Sequence, residues 1–357
     1  MKPGRPALAL GAPPDATGAG SPSPGSRQRS KAAEDRPSWL PGRVELVEVG
    51  LRDGLQNQPR TLTTAVKLEL LEGLLDAGLR RVQVASFVHP GKVPQMADAE
   101  DLVRALPARE GVVYSGLALN RRGVERAAAA GLRHVDVSLS ASDAHSRRNA
   151  GMGLAEAEEH LLATIALARE LGLSVRGGVQ CAFGCGTDEV PLERVARLAA
   201  RIAAAGVEEL AVADSAGLAD PLAVERVVAA VREAAPDVPL VLHLHDTRGL
   251  GIANLMAGLR AGVTRFDTAF GGLGGCPFIP GAAGNVSTED VASLLERLGV
   301  ATGVDVAAVC RVSARAAEEL GVGMDSRIYA LWRRERAGAS AADAPSWQVS
   351  RAPAGRR

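Results

Sequence analysis

Aromatic residues make up only 3% of the 357-residue chain, although hydrophobic residues reach 46%. A core with so few rings must be built from Ala, Val and Leu, which suits helices packed on aliphatic strands. Net charge is lacking too, because Lys+Arg and Asp+Glu each total 41. That balance argues against a general nucleic-acid or membrane-surface binder. No uninterrupted apolar run approaches the roughly 18 residues of a spanning helix, so no membrane span is expected. Cysteines number four: Cys181, Cys185, Cys276 and Cys310. They are sparse for a disulfide framework and suit a reducing compartment. Cys181 and Cys185 have no second Cys/His pair at finger-like spacing, so they read as small buried hydrophobes.

Residues 1–38 hold seven Pro, five Gly and five Ser and show no periodicity, which reads as a disordered leader. The short apolar run Ala7–Leu10 is too brief for a secretory signal. Its prolines oppose the amphipathic helix of an organelle transit peptide, so a cytoplasmic location is the leading expectation. The Ala/Ser/Pro/Arg-rich stretch 337–357 reads as a loose tail.

Between them the chain alternates regularly. Aliphatic strand-like runs begin near Val44, Arg80, Val112, Arg133, Leu173, Glu208, Val238 and Thr264. Helix-like stretches include Ala65–Ala77, Ala155–Leu171, Leu192–Ala205 and Leu222–Ala234. Gly78, Gly131, Gly172, Gly206 and Gly262 stand where helices should stop. Eight such units over about 280 residues fit a (β/α)8 TIM barrel at 43–320, closed and extended by helices at Thr288–Leu298 and Val304–Leu320. A doubly wound sheet would carry a glycine-rich phosphate loop after its first strand, where this chain has Gly50-Leu-Arg-Asp-Gly54.

The run Val238–Leu242 leads into His243-Leu-His245-Asp246. Side chains two apart on a strand share a face, so two imidazoles stand together at a strand's C-terminal end. That is a divalent-metal ligand pair, the competing reading being two ordinary histidines. Strand 1 delivers Arg52 and Asp53 two strand positions away in a closed barrel. Asp53 would complete a facial site of one carboxylate and two imidazoles. Arg52 cannot act as a base, but its guanidinium suits a developing enolate oxygen. Cys276 follows Gly271-Gly-Leu-Gly-Gly275, a loop able to close over a site and present a proton donor.

These residues resemble the 3-hydroxy-3-methylglutaryl-coenzyme A lyase family. The similar segments are Glu48–Gln56, Ser86–Val88, Val93–Met96, His243–Thr247, Gly272–Pro277 and Gly284-Asn285, in order and at matching spacing. The resemblance implies a metal-dependent barrel, using Mg2+ or Mn2+, that cleaves a 3-hydroxyacyl-CoA to acetyl-CoA and a keto acid. It implies metal ligation by Asp53, His243 and His245 with Asn285 beside them, and catalysis by Arg52, Cys276 and Asp214. Gln56, Gln83 and Ser86 fall to the substrate side, and a homodimer is implied. The family's hydroxymethylglutaryl-CoA-cleaving members carry an acidic residue where Gln83 stands, which leaves the acyl group open. His145, Arg147 and Arg148, in the loop after strand 4, are candidates for the CoA phosphates.

The expected reaction is a retro-Claisen cleavage with His243 or Asp53 as base. A Claisen-type condensing enzyme on the same barrel and an inactive binding barrel are the rivals. The first usually carries a further regulatory domain, and only about 37 residues follow Leu320. The second is opposed by the joint presence of Arg52, Asp53, both histidines and Cys276.

Overall fold

Eight aliphatic runs become eight parallel strands in the computed structural model, which describes residues 37–186, 188–275 and 284–338. They are β1 (Glu45–Glu48), β2 (Arg81–Ser86), β3 (Val113–Leu117), β4 (His134–Ser140), β5 (Ser174–Gln180), β6 (Glu209–Asp214), β7 (Leu240–Leu244) and β8 (Arg265–Thr268). Each pairs with its sequence neighbour, and β8 pairs back onto β1, with Glu45 opposite Arg265 and Glu48 opposite Thr268. The sheet is therefore a closed barrel. Strand starts fall one residue after the expected points, except for β7, which starts two later. Pro239 has no N–H for the ladder, so pairing begins at Leu240.

The helices are α1 (Thr64–Asp76), α2 (Ala99–Arg104), α3 (Arg121–Ala130), α4 (Asp143–Ala150), α5 (Leu154–Glu170), α6 (Leu192–Ala204), α7 (Pro221–Ala234), α8 (Gly251–Arg260), α9 (Thr288–Arg297), α10 (Val306–Leu320) and α11 (Arg327–Gly338). Side chains of Thr63, Asn120, Ser142, Asp220, Ser287 and Asp305 accept the first free N–H groups of six of them. The five expected helix-stop glycines all have positive φ, between 74° and 102°. Two helices differ from expectation. The segment holding His145, Arg147 and Arg148 is helical rather than a loop, because Ser142 caps it at His145 N–H and Asp143 sits in its first turn. The helix α11 was not anticipated, and tertiary contacts hold it. Ser326 and the Ile328 N–H both donate to Asp290, and Tyr329 stacks near Trp332.

The aliphatic core lies between the strands and the helix ring. The barrel interior is polar. Arg81, Glu209, Arg265 and Glu45, from the first residues of four strands, meet across its floor. Glu209 accepts from Arg81 at 2.7 Å and from Arg265 at 2.8 Å. Inside the same barrel, Val47, Val49 and Ala269 form a small apolar cluster of their own. Among the described residues, no helix is long and apolar enough to cross a membrane. The expected leader at 1–38 and tail at 337–357 lie almost entirely outside the described residues.

Candidate metal centre at the barrel mouth

Directly after β1 the chain makes one π-helical turn, Gly50–Gly54. The N–H groups of Arg52, Asp53 and Gly54 all converge on the Val49 carbonyl, at 3.1, 2.8 and 3.3 Å. Single π-helical turns are often found at functional sites. Gly50 is required there, since a Cβ would lie 2.5 Å from the Phe270 ring and 2.6 Å from Glu48 Oε1. The turn aims Arg52 and Asp53 into the mouth, where Arg52 Nη1 donates to Asp53 Oδ1.

Beyond β8, the end of β7 holds His243 and His245. Their Nε2 atoms are 3.0 Å apart, and Asp53 Oδ2 is 4.0 and 3.9 Å from them. The expected carboxylate and imidazole pair are thus brought together, with ligand atoms within 4.8 Å of one another. Asn285 joins them. Its Nδ2 donates to Asp53 Oδ2 at 2.8 Å and to the Leu273 carbonyl at 3.0 Å. Residue 285 also forms an isolated antiparallel bridge with residue 245. The approach is close enough to need glycine, because a Cβ on Gly284 would sit 2.6 Å from Gly274 N.

The donor set fits a divalent cation. Among the described residues, Asn285 Oδ1 is buried without a hydrogen-bond partner, and so is His245 Nδ1. An unmet acceptor beside a carboxylate and two imidazoles is what a cation would satisfy. Electrostatics point the same way. Burial and the neighbouring His243 push His245 down to about 4, against the pull of Asp53, so its ring is neutral and free to ligate. Burial alone would raise the Asp53 carboxyl. Arg52, His243, His245 and the Asn285 amide outweigh it and hold Asp53 well below the usual carboxylate range.

Behind the two imidazoles runs a chain of buried partners, of which Asp267, Arg176 and Asp136 were not expected from the sequence. Asp267 Oδ2 is 3.1 Å from His243 Nδ1 and accepts its N–H, which leaves Nε2 as the lone-pair nitrogen. Arg176 donates to both Asp267 oxygens, at 2.7 and 3.3 Å, and through Nε to Asp136. Gln83 closes the ring. Its Nε2 donates to Asp136 Oδ2 at 2.5 Å, and its Oε1 accepts from Arg52 Nε. Burial would raise Asp267, but Arg176 and His243 hold it at about 2. A signal was available: Arg81/Gln83, His134/Asp136, Arg176 and Arg265/Asp267 are polar at every second position of otherwise aliphatic strands.

The remaining candidates are dispersed. Ser86 Oγ at the end of β2 and Gln56 Oε1 are buried without hydrogen-bond partners among the described residues. Asp214 is fully buried at the end of β6, where its oxygens accept the Leu218 and Ala219 N–H groups at 2.8 and 3.1 Å. Burial raises its carboxyl against those two bonds. His145 is buried, whereas the Arg147 side chain is 65% exposed and pairs with Asp143 at 2.8 Å. Cys276 lies outside the described residues.

A family model described as HMGL-like matches residues 43–315. Hydroxymethylglutaryl-CoA lyase of Pseudomonas mevalonii is 41% identical over 285 residues, 80% of this chain and 95% of that one. An (R)-citramalyl-CoA lyase of Chloroflexus aurantiacus is 41% identical over 281 residues, 76% of this chain and 89% of that one. Among solved structures, the HMG-CoA lyase of Bacillus subtilis superposes with a TM-score of 0.80 at 36% identity, covering 82% of this chain and 99% of that one.

Proposed function

The chain belongs to the HMGL-like family, and from that premise we propose that it cleaves 3-hydroxy-3-methylglutaryl-CoA to acetyl-CoA and acetoacetate. The observation that carries the proposal is the meeting of Asp53, His243, His245 and the unmet Asn285 Oδ1 beside Arg52. A divalent cation held by these four residues, Mg2+ or Mn2+ in our reading, would polarise the substrate's hydroxyl and carboxylate oxygens.

The chain's own groups do the rest. His243 or Asp53 takes the proton of the tertiary hydroxyl. The C2–C3 bond breaks as C3–O becomes a carbonyl, and the electron pair passes to the thioester as an enolate. Arg52 faces that charge with a guanidinium fixed on two sides, by Asp53 and by Gln83. Cys276 gives C2 its proton, which completes acetyl-CoA. Asp214 holds the loop beside the site, Ser86 and Gln56 offer free polar atoms to the acyl chain, and Arg148 with Arg147 meets the CoA phosphates. In solution we expect a homodimer working in the cytoplasm, which light scattering and cell fractionation test.

A second reading rests on Gln83. The amide replaces a negative charge beside Arg52, so a related acyl group, as in the citramalyl-CoA lyase relative, is a specific alternative. Acetyl-CoA release from a panel of branched 3-hydroxyacyl-CoA thioesters separates the two. The first reading expects hydroxymethylglutaryl-CoA to have the highest kcat/KM. Failure on every thioester would refute both.

A further inference from the structure

A second cluster of metal-ligand side chains lies at the ends of β4 and β5, apart from the candidate centre at β1 and β7. One ring nitrogen of His145 and the Sγ atoms of Cys181 and Cys185 lie within 4.8 Å of one another. All three residues are buried, and neither cysteine is in a disulfide. Asp53, His243 and His245 come from the ends of β1 and β7, so the two clusters share no residue and no strand.

The chain is shaped to bring these groups together. Cys181 has φ 54°, in the left-handed region that a residue with a Cβ avoids. Its N–H donates to Ser215 Oγ at 3.0 Å, and its carbonyl accepts from Gly184 at 3.1 Å. Cys185 and Asp188 then exchange backbone bonds at 3.3 and 3.2 Å. His145 comes from the first turn of α4, a separate element. That helix is tied to the same turn because Ser142, its cap, donates its hydroxyl to Asp188. Two independent segments are thus fixed against each other through side chains other than the three ligands.

We propose that His145, Cys181 and Cys185 form a second metal site, for a thiophilic divalent ion such as Zn2+. Two thiolates and a neutral imidazole on a divalent ion sum to zero charge, which lets the assembly stay buried at small electrostatic cost. Sulfur ligands discriminate against Mg2+, whereas the carboxylate–imidazole site at β1 and β7 has no such bias. Three protein ligands leave a fourth position for water or a small anion.

Cobalt reads out the thiolates directly. The full-length chain, reduced with a phosphine and stripped of metal, is titrated with Co2+ in saturating Mg2+. A near-ultraviolet thiolate-to-cobalt charge-transfer band, with strong tetrahedral visible bands, is expected at one equivalent. His243→Ala/His245→Ala and Cys276→Ser should keep the band, whereas Cys181→Ser/Cys185→Ser should lose it. Absence of the band in the parent protein would overturn the site. So would its survival in the double serine variant, or its loss in Cys276→Ser. If the double variant fails to fold by circular dichroism, His145→Asn decides. Its visible bands should shift and weaken, and an unchanged spectrum removes His145 and the site with it.

Discussion

Gln83 is held so that its two ends cannot be exchanged. Its carbonyl accepts from Arg52 and its amide donates to Asp136. A glutamate could still accept from Arg52, but it would meet Asp136 with a second carboxylate, and two carboxylates that close share one proton. We expect Gln83→Glu to change the ratio of kcat/KM between hydroxymethylglutaryl-CoA and a citramalyl-type thioester by about tenfold or more. An unchanged ratio would remove Gln83 from specificity. Asp267 acts one bond further back, fixing the tautomer of His243 while Arg176 balances its charge. Asp267→Asn keeps the shape and loses the charge. Metal affinity or turnover should fall by roughly 10- to 100-fold, as for other partners behind metal ligands. Calorimetric metal titration beside steady-state kinetics checks this, and parental values in both would refute the role. Of these residues the sequence made His243, His245, Asp53 and Arg52 legible, because spacing and strand ends identify them. Asp267, Arg176 and Asp136 show in the sequence only as alternating polar strand positions, because their partners lie across the barrel, 24 to 91 positions away in the chain.

At the scale of elements, two buried glutamates hold the joint between β1, β8 and the glycine-rich loop. Glu48 Oε1 accepts the Gly50 and Phe270 N–H groups at 2.7 and 3.1 Å, and Glu289 accepts the Gly271 N–H. Burial pushes Glu48 up to about 8, against its bonds from Thr288, Gly50 and Phe270. Burial likewise pushes Glu289 up to about 7. An unfolded Glu loses its proton near 4.5, so between 4.5 and 8 the folded chain binds more protons. The stability from this pair is complete below 4.5 and is lost as pH rises through the folded values. His245 works in the opposite sense. Its folded value of about 4 lies below the unfolded 6.5, so its contribution grows with pH and is complete by 6.5. From 6.5 to 8 the glutamates therefore act without that opposition. In chelator, the parent's Tm should fall relative to that of Glu48→Gln across that range, because the amide mimics the protonated form. Equal slopes in scanning calorimetry would contradict this. The elements themselves were largely legible, since Gly78 and its counterparts mark helix ends and the aliphatic runs mark strands. Two were not. Capping by Ser142 makes a helix of eight residues that lack an apolar stripe, and α11 depends on Asp290, some 37 positions upstream.

For the whole molecule, barrel closure is what turns separated motifs into one site. Asp53 and His243 are far apart in the chain, and only the return of β8 to β1 puts their strands two apart. That closure follows from counting eight units, so both the fold and the meeting of Asp53 with His243 and His245 are legible in the sequence. The polar filling of the barrel is not, because alternation within a short strand does not say which face is inside. We propose that Asp53, His243 and His245 hold a cation without which the bond is not cleaved. Acetyl-CoA release from hydroxymethylglutaryl-CoA, measured on chelator-stripped protein against added Mn2+, tests it most directly. We predict no turnover without metal, saturable recovery on addition, and a loss of at least about 10² in kcat/KM in His245→Ala at any Mn2+ concentration. Full turnover in chelator, or parental recovery in His245→Ala, would contradict the account.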